Sequence, residues 1–414
     1  MTLDARFAAA MERLLAGHRP ERLAVAVSGG GDSLALLGLA CDWAEENHCR
    51  IHALTVDHGL RPEAGDEALL VAREAMRMGA QHDTLYWTGW DGKGNLQAAA
   101  RDARYGLMRE FCTREGIGAI LLGHTQDDQA ETVLMRLARG SGVDGLSAMP
   151  EGRFGRDDIL RPVLAESRAD LRVWLTRQGM RWFEDPTNDD PRYDRVRARR
   201  LLTQLAPFGI DASRLADTAA SMARARVALL ARARDLADRI VTDRQGLLIY
   251  DRAGLERTEE ETRLRLVSHG LACLSGAPYK PRLASLSATL DRALEGQGGT
   301  LQGCRLIPSR DSLMMVREFK AVADLTAPAD GQTLWDGRWR VLAPAHPVAT
   351  IRALGEDGLA QWDRPATLPH AALLSWPGVW QGDTLLAVPG FWNDDAIRCE
   401  YAASAGFHAA LKSH

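Results

Sequence analysis

The chain has 414 residues, 46% of them hydrophobic and 26% charged, and a formal net charge of −4. This length exceeds what one hydrophobic core usually serves, so two or three domains are expected. The weakly negative charge argues against a polyanion-binding surface over the whole molecule, and any nucleic-acid site must therefore be a local basic patch.

The sequence has no apolar stretch long enough to cross a membrane, and its N-terminal segment lacks the features of a signal peptide. We therefore expect a cytoplasmic protein with no membrane partner. The six cysteines are scattered and form no C-x-x-C pair. This pattern argues against a zinc site, an iron–sulfur cluster and a disulfide framework.

Short apolar strands alternate with helical segments from residue 23 onward. Strands are predicted at 23–28, 51–57, 82–87 and 117–124, and helices at 33–47, 63–78, 95–115 and 127–139. Such alternation is typical of a parallel sheet with helices on both faces. The N-terminal part is therefore predicted to be an α/β domain with a doubly wound parallel sheet.

The sequence changes character near residue 190. Residues 192–239 contain eleven arginines against five aspartates, and 212–241 has the apolar spacing of an amphipathic helix. Farther on, 299–307 and 312–318 resemble the strands of a hairpin, and 333–343 carries an Asp-Gly turn between strand-like runs. The last third is therefore predicted to be richer in β-structure.

Glycine, proline and aspartate gather at 327–331, which suggests a linker near residue 328. The predicted domains are an α/β domain at 1–205, a helical or mixed domain at 206–327, and a small β-rich domain at 328–414. Six tryptophans lie between 335 and 392 and are expected to form the core of this last domain, with base stacking as the alternative.

A glycine-rich break interrupts the first apolar run, VAVSGGGDSLALL at 25–37. Six residues separate strand from helix: Ser28, Gly29, Gly30, Gly31, Asp32 and Ser33. Glycines expose backbone N–H groups that the helix N-terminus directs at an anion, so a phosphate is the expected ligand. The alternative is a tight turn without a ligand. The spacing fits neither a P-loop, which needs a following lysine, nor the dinucleotide fingerprint, which needs a small residue where Leu34 stands.

Asp32 brings a carboxylate into this anion site. That arrangement is repulsive unless a metal ion accompanies the phosphates, so Mg²⁺ is expected. The metal would also offset the negative charge of the phosphate oxygens. The competing role for Asp32 is to cap the helix that follows.

A second polar cluster follows a later strand, in LLGHTQDDQAETVLMRLARGSGVDGLSAM at 121–149. It consists of His124, Asp127, Asp128 and Glu131. A helix over 127–139 places Asp127 or Asp128 near one line with Glu131 and Met135, and His124 lies just before it. The alternative is helix capping with a solvated acidic first turn. Because open α/β sheets bind ligands at the carboxyl edge of their strands, this cluster and the glycine loop are expected at the same edge.

The glycine loop resembles the S-G-G-x-D-S motif of the PP-loop ATP pyrophosphatases. The spacing G-H-x-x-D-D-x-x-E-T at 123–132 resembles one branch of that class, the tRNA(Ile)-lysidine synthetases. Further similar segments are VDHGLRPEAGDEA (56–68), NLQAAARDARYGLM (95–108) and WFEDPTNDDPRYDRVRAR (182–199). The resemblance is dense over 20–205 and weak beyond. Gly31 at position x leaves the loop more flexible than a bulkier residue would.

This resemblance implies a PP-loop, HUP-like fold and a ligase reaction on a tRNA(Ile) with a CAU anticodon. It makes 1–205 the ATP-binding catalytic domain and 206–327 the tRNA-binding domain. The C2 oxygen of the wobble cytidine is adenylated by ATP, and free L-lysine then displaces AMP to form lysidine, so that the tRNA reads AUA. It also implies ATP and Mg²⁺ as cofactors and tRNA(Ile) and lysine as partners. Whether the protein is a monomer or a homodimer is left open.

The resemblance also implies residue roles. ATP binding falls to 28–33, Asp57, His58 and Gly123, and metal binding to Asp32 and Asp128. Catalysis falls to Asp32, Arg101, Arg104, His124, Asp128 and Glu131. Lysine binding falls to Asp127, Asp128 and Glu131, and tRNA binding to Arg192, Arg195, Arg197, Arg199 and Arg200. The residue that takes the proton from the lysine amine is left open.

Two of these assignments have an alternative in which the residues have no functional role. Arg101 and Arg104 would equally form surface ion pairs with Asp102 or a neighbour. A solvent-exposed helix face could have the same arginine-rich sequence as a tRNA-binding segment. The one-sided excess of positive charge favours tRNA binding. The nearest functional alternative is a PP-loop enzyme that thiolates tRNA, which normally needs a pair or cluster of cysteines.

Overall fold

The computed structural model describes residues 1–59, 64–90, 92, 94–155, 158–184, 190, 192–277, 279–363, 368–392, 396–402 and 406–413. Parts of the quoted segments 56–68 and 182–199 lie outside these residues. The chain divides into two compact units, Met1–Arg226 and Val227–His414. In the described part of the chain, no helix is both long and apolar enough to cross a membrane.

The first unit is built on a five-stranded parallel sheet. Its strands are β1 (Arg22–Ala26), β2 (Arg50–Asp57), β3 (Gln81–Tyr86), β4 (Ile120–Leu122) and β5 (Ile159–Leu160), in the order β3-β2-β1-β4-β5. Its helices are α1 (Leu3–Leu15), α2 (Gly31–Asn47), α3 (Ala64–Arg77), α4 (Leu96–Glu115), α5 (Gln126–Leu137), α6 (Val143–Leu146), α7 (Arg168–Arg177) and α8 (Asp194–Leu205). A 3₁₀ turn (Ala206–Phe208) leads to α9 (Ala212–Ile240).

The parallel sheet is covered on both faces. Leu23 and Val25 of β1 lie in a core with residues of α1, α2, α3 and α7. Ala24 lies in a second core with residues of α4. Adjacent residues of one strand therefore face opposite cores, as the pleat requires. This confirms the predicted doubly wound α/β fold.

The second unit is mainly antiparallel. Its strands are β6 (Val241–Asp243), β7 (Leu248–Asp251), β8 (Gly299–Leu301), β9 (Cys304–Pro308), β10 (Ser312–Arg317), β11 (Thr326–Pro328), β12 (Asp330–Trp335), β13 (Trp339–Leu342), β14 (Thr350–Ala353), β15 (Pro377–Gln381), β16 (Thr384–Ala387) and β17 (Arg398–Tyr401). Its helices are α10 (Arg252–Glu256), α11 (Glu260–Ser275), α12 (Leu283–Leu294), α13 (Phe319–Val322), α14 (Gly355–Ala360), α15 (His370–Leu374) and α16 (Phe407–Ser413). The sheets have the orders β6-β7-β10-β9-β8, β11-β14-β15-β16 and β12-β13-β17.

Both predicted hairpins form: β9 pairs with β10, and β12 pairs with β13. The predicted linker is wrong, since 327–331 falls within β11 and β12 and Ala327 is buried. β11 pairs with β14 and β12 pairs with β13, so hydrogen bonds between strands hold this segment despite its glycine and proline. Four of the six tryptophans are buried, namely Trp335, Trp339, Trp376 and Trp380. The division into the three predicted domains remains a prediction.

Candidate active site

The glycine loop lies between the end of β1 and the start of α2. Gly29 has φ +81°, a left-handed conformation that glycine adopts without strain. The buried Ser33 hydroxyl accepts a hydrogen bond from the Ser28 backbone N–H at 3.1 Å and donates to the Gly30 carbonyl at 2.9 Å. Ser33 therefore fixes the loop from within, while Ser28 is exposed.

The N-terminus of α2 has no capping side chain. Its N-cap residue is Gly30, and Asp32 lies in the first helical turn. The competing prediction, that Asp32 caps this helix, is therefore wrong. The first N–H groups of the helix keep their capacity to bind an anion.

Gly123, at the end of β4, brings this strand against the glycine loop. A Cβ atom at Gly123 would lie 3.0 Å from the Asp32 carbonyl oxygen and 3.2 Å from the Ser33 Cα. Any larger residue would therefore push the strand away from the loop. The absence of a Cβ atom at Gly123 is what allows the chain after β4 to pass this close to the backbone of Asp32 and Ser33.

One carboxylate oxygen of Asp128 is used to cap helix α5. Thr125 is the N-cap of α5, and the two residues form a reciprocal capping box. Asp128 Oδ2 accepts hydrogen bonds from the Thr125 backbone N–H at 2.9 Å and from its hydroxyl at 3.0 Å. Asp128 therefore does cap the helix, as the alternative prediction stated. Capping uses only Oδ2, and Oδ1 faces Arg168.

Arg168, the first residue of α7, joins the two predicted clusters. Its Nε donates to Asp32 Oδ2 at 2.9 Å and its Nη2 to Asp128 Oδ1 at 3.3 Å. Its Nη1 lies 3.6 Å from Glu131 Oε1, and its backbone N–H donates to Asp127 Oδ2 at 2.8 Å. Four carboxylates that were predicted to share a site therefore meet at one arginine.

Glu131 is the most deeply buried of these acids, with its side chain 1% exposed. Its Oε1 accepts a hydrogen bond from Arg199 Nε at 2.9 Å. Its Oε2 is buried and has no hydrogen-bond partner among the described residues. Burial and the neighbouring Asp128 charge raise the pKa of Glu131, and burial also raises the pKa of Asp32.

His124 is held by a buried arginine. Arg161 Nε donates to His124 Nδ1 at 3.1 Å, so Nδ1 is an acceptor and the proton of the neutral ring is on Nε2. Burial lowers the pKa of His124 to about 4. The ring is therefore neutral at physiological pH and presents an N–H donor.

The second strand end contributes Asp57 and His58. Asp57 Oδ1 accepts a hydrogen bond from the Gly59 backbone N–H at 2.8 Å. The His58 ring packs edge-on against Trp87, and its pKa is lowered by burial and by the charge of Arg104. The structure thus brings His58 near Arg104, a second predicted catalytic residue.

Arg101 and Arg104 lie over the ring of Tyr105, with guanidinium-to-centroid distances of 5.1 and 5.3 Å. Arg101 is exposed, whereas the Nε of Arg104 is buried without a hydrogen-bond partner in the described part of the chain. Stacking on Tyr105 orients both groups without consuming their forked donors.

The five arginines predicted to contact tRNA divide into two sets. Arg195 and Arg199 face the acidic cluster, since Arg195 Nη1 lies 3.9 Å from Asp128 Oδ1 and Arg199 contacts Glu131. Arg192, Arg197 and Arg200 are exposed. Helical periodicity explains the division, because α8 turns some of these arginines inward and others to solvent.

Sequence reasoning missed Arg161 and Arg168. Both follow β5, which pairs with only two residues of β4. A two-residue strand has no recognisable periodicity, so nothing in the sequence placed this segment at the ligand-binding edge. The phrase LRPVLAESR at 160–168 carries no motif of its own.

A strand, a glycine loop without a following lysine and a helix, set in a parallel sheet, define the PP-loop class of ATP-using proteins. The family model described as "PP-loop domain" matches residues 3–206. The tRNA(Ile)-lysidine synthase of Ruegeria pomeroyi is 44% identical over 404 residues, covering 95% of each chain. That of Wolbachia pipientis wMel is 37% identical, covering 77% of this chain and 76% of its own. That of Anaplasma marginale is 34% identical, covering 80% and 73%. The chain belongs to the tRNA(Ile)-lysidine synthase family.

Proposed function

We propose that the protein joins free L-lysine to C2 of the wobble cytidine in a tRNA(Ile) with a CAU anticodon, converting ATP to AMP and diphosphate. The observation that carries this proposal is the meeting of an anion-binding loop and a buried acidic cluster, since Asp32 and Asp128 both contact Arg168. The loop suits a phosphate and the cluster suits an ammonium group. Membership of the family supports the same reaction, and cytoplasm is the proposed location.

In the first step, the C2 oxygen attacks the α-phosphorus of ATP, and the bond to the leaving diphosphate breaks. The free N–H groups at the start of α2 and the exposed Ser28 hydroxyl are proposed to hold the diphosphate oxygens. Asp57 and His58 are proposed to contact the nucleotide from the neighbouring strand end. The forked guanidiniums of Arg101 and Arg104 are suited to the α-phosphate or to a tRNA phosphate.

Mg²⁺ fits the donors that the chain offers. No group of three or more His, Cys, Asp or Glu side chains among the described residues is arranged to hold a metal ion. Mg²⁺ in phosphoryl-transfer sites commonly uses one or two carboxylates and takes its other oxygens from phosphate and water. The carboxylates of Asp32 and Asp128 would supply that pair. When bound, Mg²⁺ would neutralise charge on the phosphates.

The neutral His124 is proposed to donate a hydrogen bond through Nε2–H. A ring whose Nδ1 already accepts from Arg161 offers only its Nε2 face to a ligand. A neutral donor stabilises an anionic oxygen without the cost of burying another cation. Arg161 would act here as a positioning residue.

In the second step, the lysine ε-amine attacks C2, and AMP leaves with the original oxygen. The carboxylates of Asp127, Asp128 and Glu131 are proposed to bind the incoming ammonium. The attacking amine must lose a proton, and Glu131 Oε2 is buried without a partner in the described structure. The raised pKa of Glu131 makes it the proposed acceptor of that proton.

The test is an incubation with ATP, Mg²⁺, radiolabelled lysine and a CAU-anticodon tRNA(Ile) transcript. We expect label to enter the tRNA only when ATP is present. The matched control is the same transcript with uridine at the wobble position, which should not be labelled. Diphosphate release without lysine transfer would instead favour another adenylating enzyme, such as the thiolase type.

The exposed Arg192, Arg197 and Arg200 are proposed to follow the tRNA backbone, because cations that meet phosphates add salt-dependent affinity. Arg195 and Arg199 are proposed to act closer to the acidic cluster, where they already contact Asp128 and Glu131. A homodimer is a separate expectation, which sedimentation with and without tRNA would test.

A further inference from the structure

The Arg168 guanidinium faces three carboxylates that belong to two different helices. Asp32 lies on α2, while Asp128 and Glu131 lie on α5. The side chain of Arg168 is 17% exposed and that of Glu131 is 1% exposed, so water screens these charges weakly. Each guanidinium nitrogen is directed at a different carboxylate.

The three contacts are unequal. The 2.9 Å distance from Nε to Asp32 is typical of a charge-assisted hydrogen bond, whereas 3.3 Å to Asp128 and 3.6 Å to Glu131 are longer. The guanidinium is therefore held firmly by one carboxylate and loosely by two. A single guanidinium offsets only part of the negative charge of the cluster and does not fill all its acceptors, and Glu131 Oε2 is left without a hydrogen-bond partner among the described residues.

The cluster cannot exist in this form without a cation. Several buried carboxylates that lack a counterion repel one another and are costly to desolvate. Two other arginines approach the cluster: Arg199 Nε lies 2.9 Å from Glu131 Oε1, and Arg195 Nη1 lies 3.9 Å from Asp128 Oδ1. Arg168 bridges Asp32 on α2 to Asp128 and Glu131 on α5.

The backbone of Arg168 is anchored independently of its side chain. Its N–H donates to Asp127 Oδ2 at 2.8 Å, and the Ser167 side chain caps the helix that it begins. The guanidinium can therefore leave the carboxylates by rotation of side-chain torsions while α7 stays in place.

We propose that Arg168 is an internal counterion, which holds the place of a divalent cation in the ligand-free protein and releases Asp32 and Asp128 when that cation binds. This inference rests on the proposed function only in taking a hard divalent cation as the occupant. It makes Arg168 a competitor of the metal, so removal of its charge strengthens metal binding.

The test uses the full chain without ATP or tRNA and the variants Arg168→Gln and Arg168→Lys. Thermal unfolding is recorded in EDTA and in MgCl₂, and Mn²⁺ binding is measured by electron paramagnetic resonance. We expect R168Q to melt at least about 4 °C lower than the wild type in EDTA and to recover in MgCl₂. We also expect it to bind Mn²⁺ at least about tenfold more tightly.

R168K should lie between the wild type and R168Q. A lysine ammonium keeps the charge but cannot direct three nitrogens at three carboxylates. We therefore expect a smaller loss of stability in EDTA and a smaller gain in Mn²⁺ affinity. If R168Q does not fold, the proposal is tested by the Mn²⁺ affinity of R168K. An affinity no higher than that of the wild type overturns the proposal.

The matched control is Arg6→Gln. Arg6 also pairs with a buried carboxylate, Glu166, at 2.6 Å, and its Nη2 lies 3.5 Å from Asp170, whose side chain is 58% exposed. Only one carboxylate near Arg6 is therefore buried. R6Q should lose stability without recovery in MgCl₂. The same behaviour in R168Q, with unchanged or weaker Mn²⁺ binding, would mean that Arg168 is only a structural ion pair.

Failure of this inference and failure of the proposed function are distinguishable. Tight Mn²⁺ binding by R168Q, together with no lysine incorporation by the wild type, would support the counterion and contradict the ligase. Lysine incorporation by the wild type, together with Mn²⁺ binding that R168Q does not strengthen, would support the ligase and overturn the counterion.

Discussion

Each unit of the molecule contains a buried cluster of arginine and carboxylate groups, and the two clusters have opposite composition. In the second unit, Arg317 and Arg338 share the single carboxylate of Asp336. Arg317 binds both oxygens, at 3.0 and 3.1 Å, and donates further to the Gly303 carbonyl at 2.7 Å. In the first unit, one guanidinium, that of Arg168, faces three carboxylates.

The difference separates a structural ion cluster from one that can bind a ligand. At Asp336, two cations saturate one carboxylate and fix the hairpin turn between β12 and β13. Around Arg168, carboxylate oxygens outnumber donors, and one oxygen of Glu131 has no partner in the described structure. Buried ion pairs contribute little net stability, so an excess of buried acceptors makes sense chiefly where a cationic ligand completes them.

The largest expected effect comes from Asp32→Asn. If Asp32 serves the reaction, ATP–diphosphate exchange and lysine incorporation should fall by about a thousandfold or more. Stability at neutral pH should not fall, because burial raises the pKa of Asp32 and the folded state therefore favours its neutral form. Exchange assays and urea unfolding of the same preparation measure the two quantities.

The expected effect of D32N on stability follows from the pKa difference between the folded and unfolded states. A raised carboxyl pKa contributes stability that is present below the unfolded value of 3.8 and is lost as pH rises through the folded value. The amide of Asn is neutral at all these pH values and avoids that loss. Retained exchange activity in D32N would contradict the catalytic role of Asp32.

The opposite result is expected for Asp336→Asn, which tests the saturated cluster. Two buried guanidiniums would lose their carboxylate, which should cost roughly 3 to 5 kcal/mol of unfolding free energy. Asp336 has φ +49°, a conformation that Asn also tolerates, so the change removes charge without adding backbone strain. Urea unfolding measures the loss.

Glu400→Gln is the control for D336N, because its pair with Arg340 at 3.3 Å is exposed. It should cost less than about 1 kcal/mol. Similar losses for D336N and E400Q would mean that burial does not distinguish the two ion pairs and would remove the basis of the comparison.

The contrast also explains how much the sequence could reveal. The glycine loop and the polar cluster at 124–131 were predictable because each follows an apolar segment that is recognisable as a strand. The parallel sheet then brings strand ends to one edge, so their convergence was predictable as well. The strand predicted at 117–124 is shorter in the structure, where β4 spans Ile120–Leu122 and ends before Gly123 and His124.

Arg168 was not predictable by the same reasoning. An arginine just after a serine at a helix start is ordinary in any surface helix, and its role depends on α7 meeting α2 and α5 in space. Similarly, the arginines of α8 were all predicted to contact tRNA, because charge counting cannot tell which side of a helix is covered. Packing decided that Arg199 faces Glu131.

His124→Asn should alter how stability depends on pH. The pKa of His124 is lowered from 6.5 to about 4, so its stabilising contribution is present above pH 6.5 and is lost as pH falls toward 4. The lost contribution corresponds to about 3 kcal/mol. Asn keeps an acceptor for Arg161 but does not titrate. Between pH 6.5 and pH 4, the unfolding free energy of the variant should therefore fall by about 3 kcal/mol less than that of the wild type. Urea unfolding at a series of pH values measures it, and parallel curves for variant and wild type would contradict the buried neutral ring.

The smallest effect is expected at the exposed arginines. Arg200→Ala should weaken tRNA binding by about 1 kcal/mol and reduce the slope of log K against log salt concentration by about one, because one phosphate contact is lost. The matched control is Arg77→Ala, since Arg77 is an exposed arginine of α3 paired with Glu74 at 2.9 Å. Filter binding at several salt concentrations measures both variants. Equal slopes for R200A and the wild type would assign Arg200 to the solvated face of α8, and the basic surface would then have to be sought on other arginines.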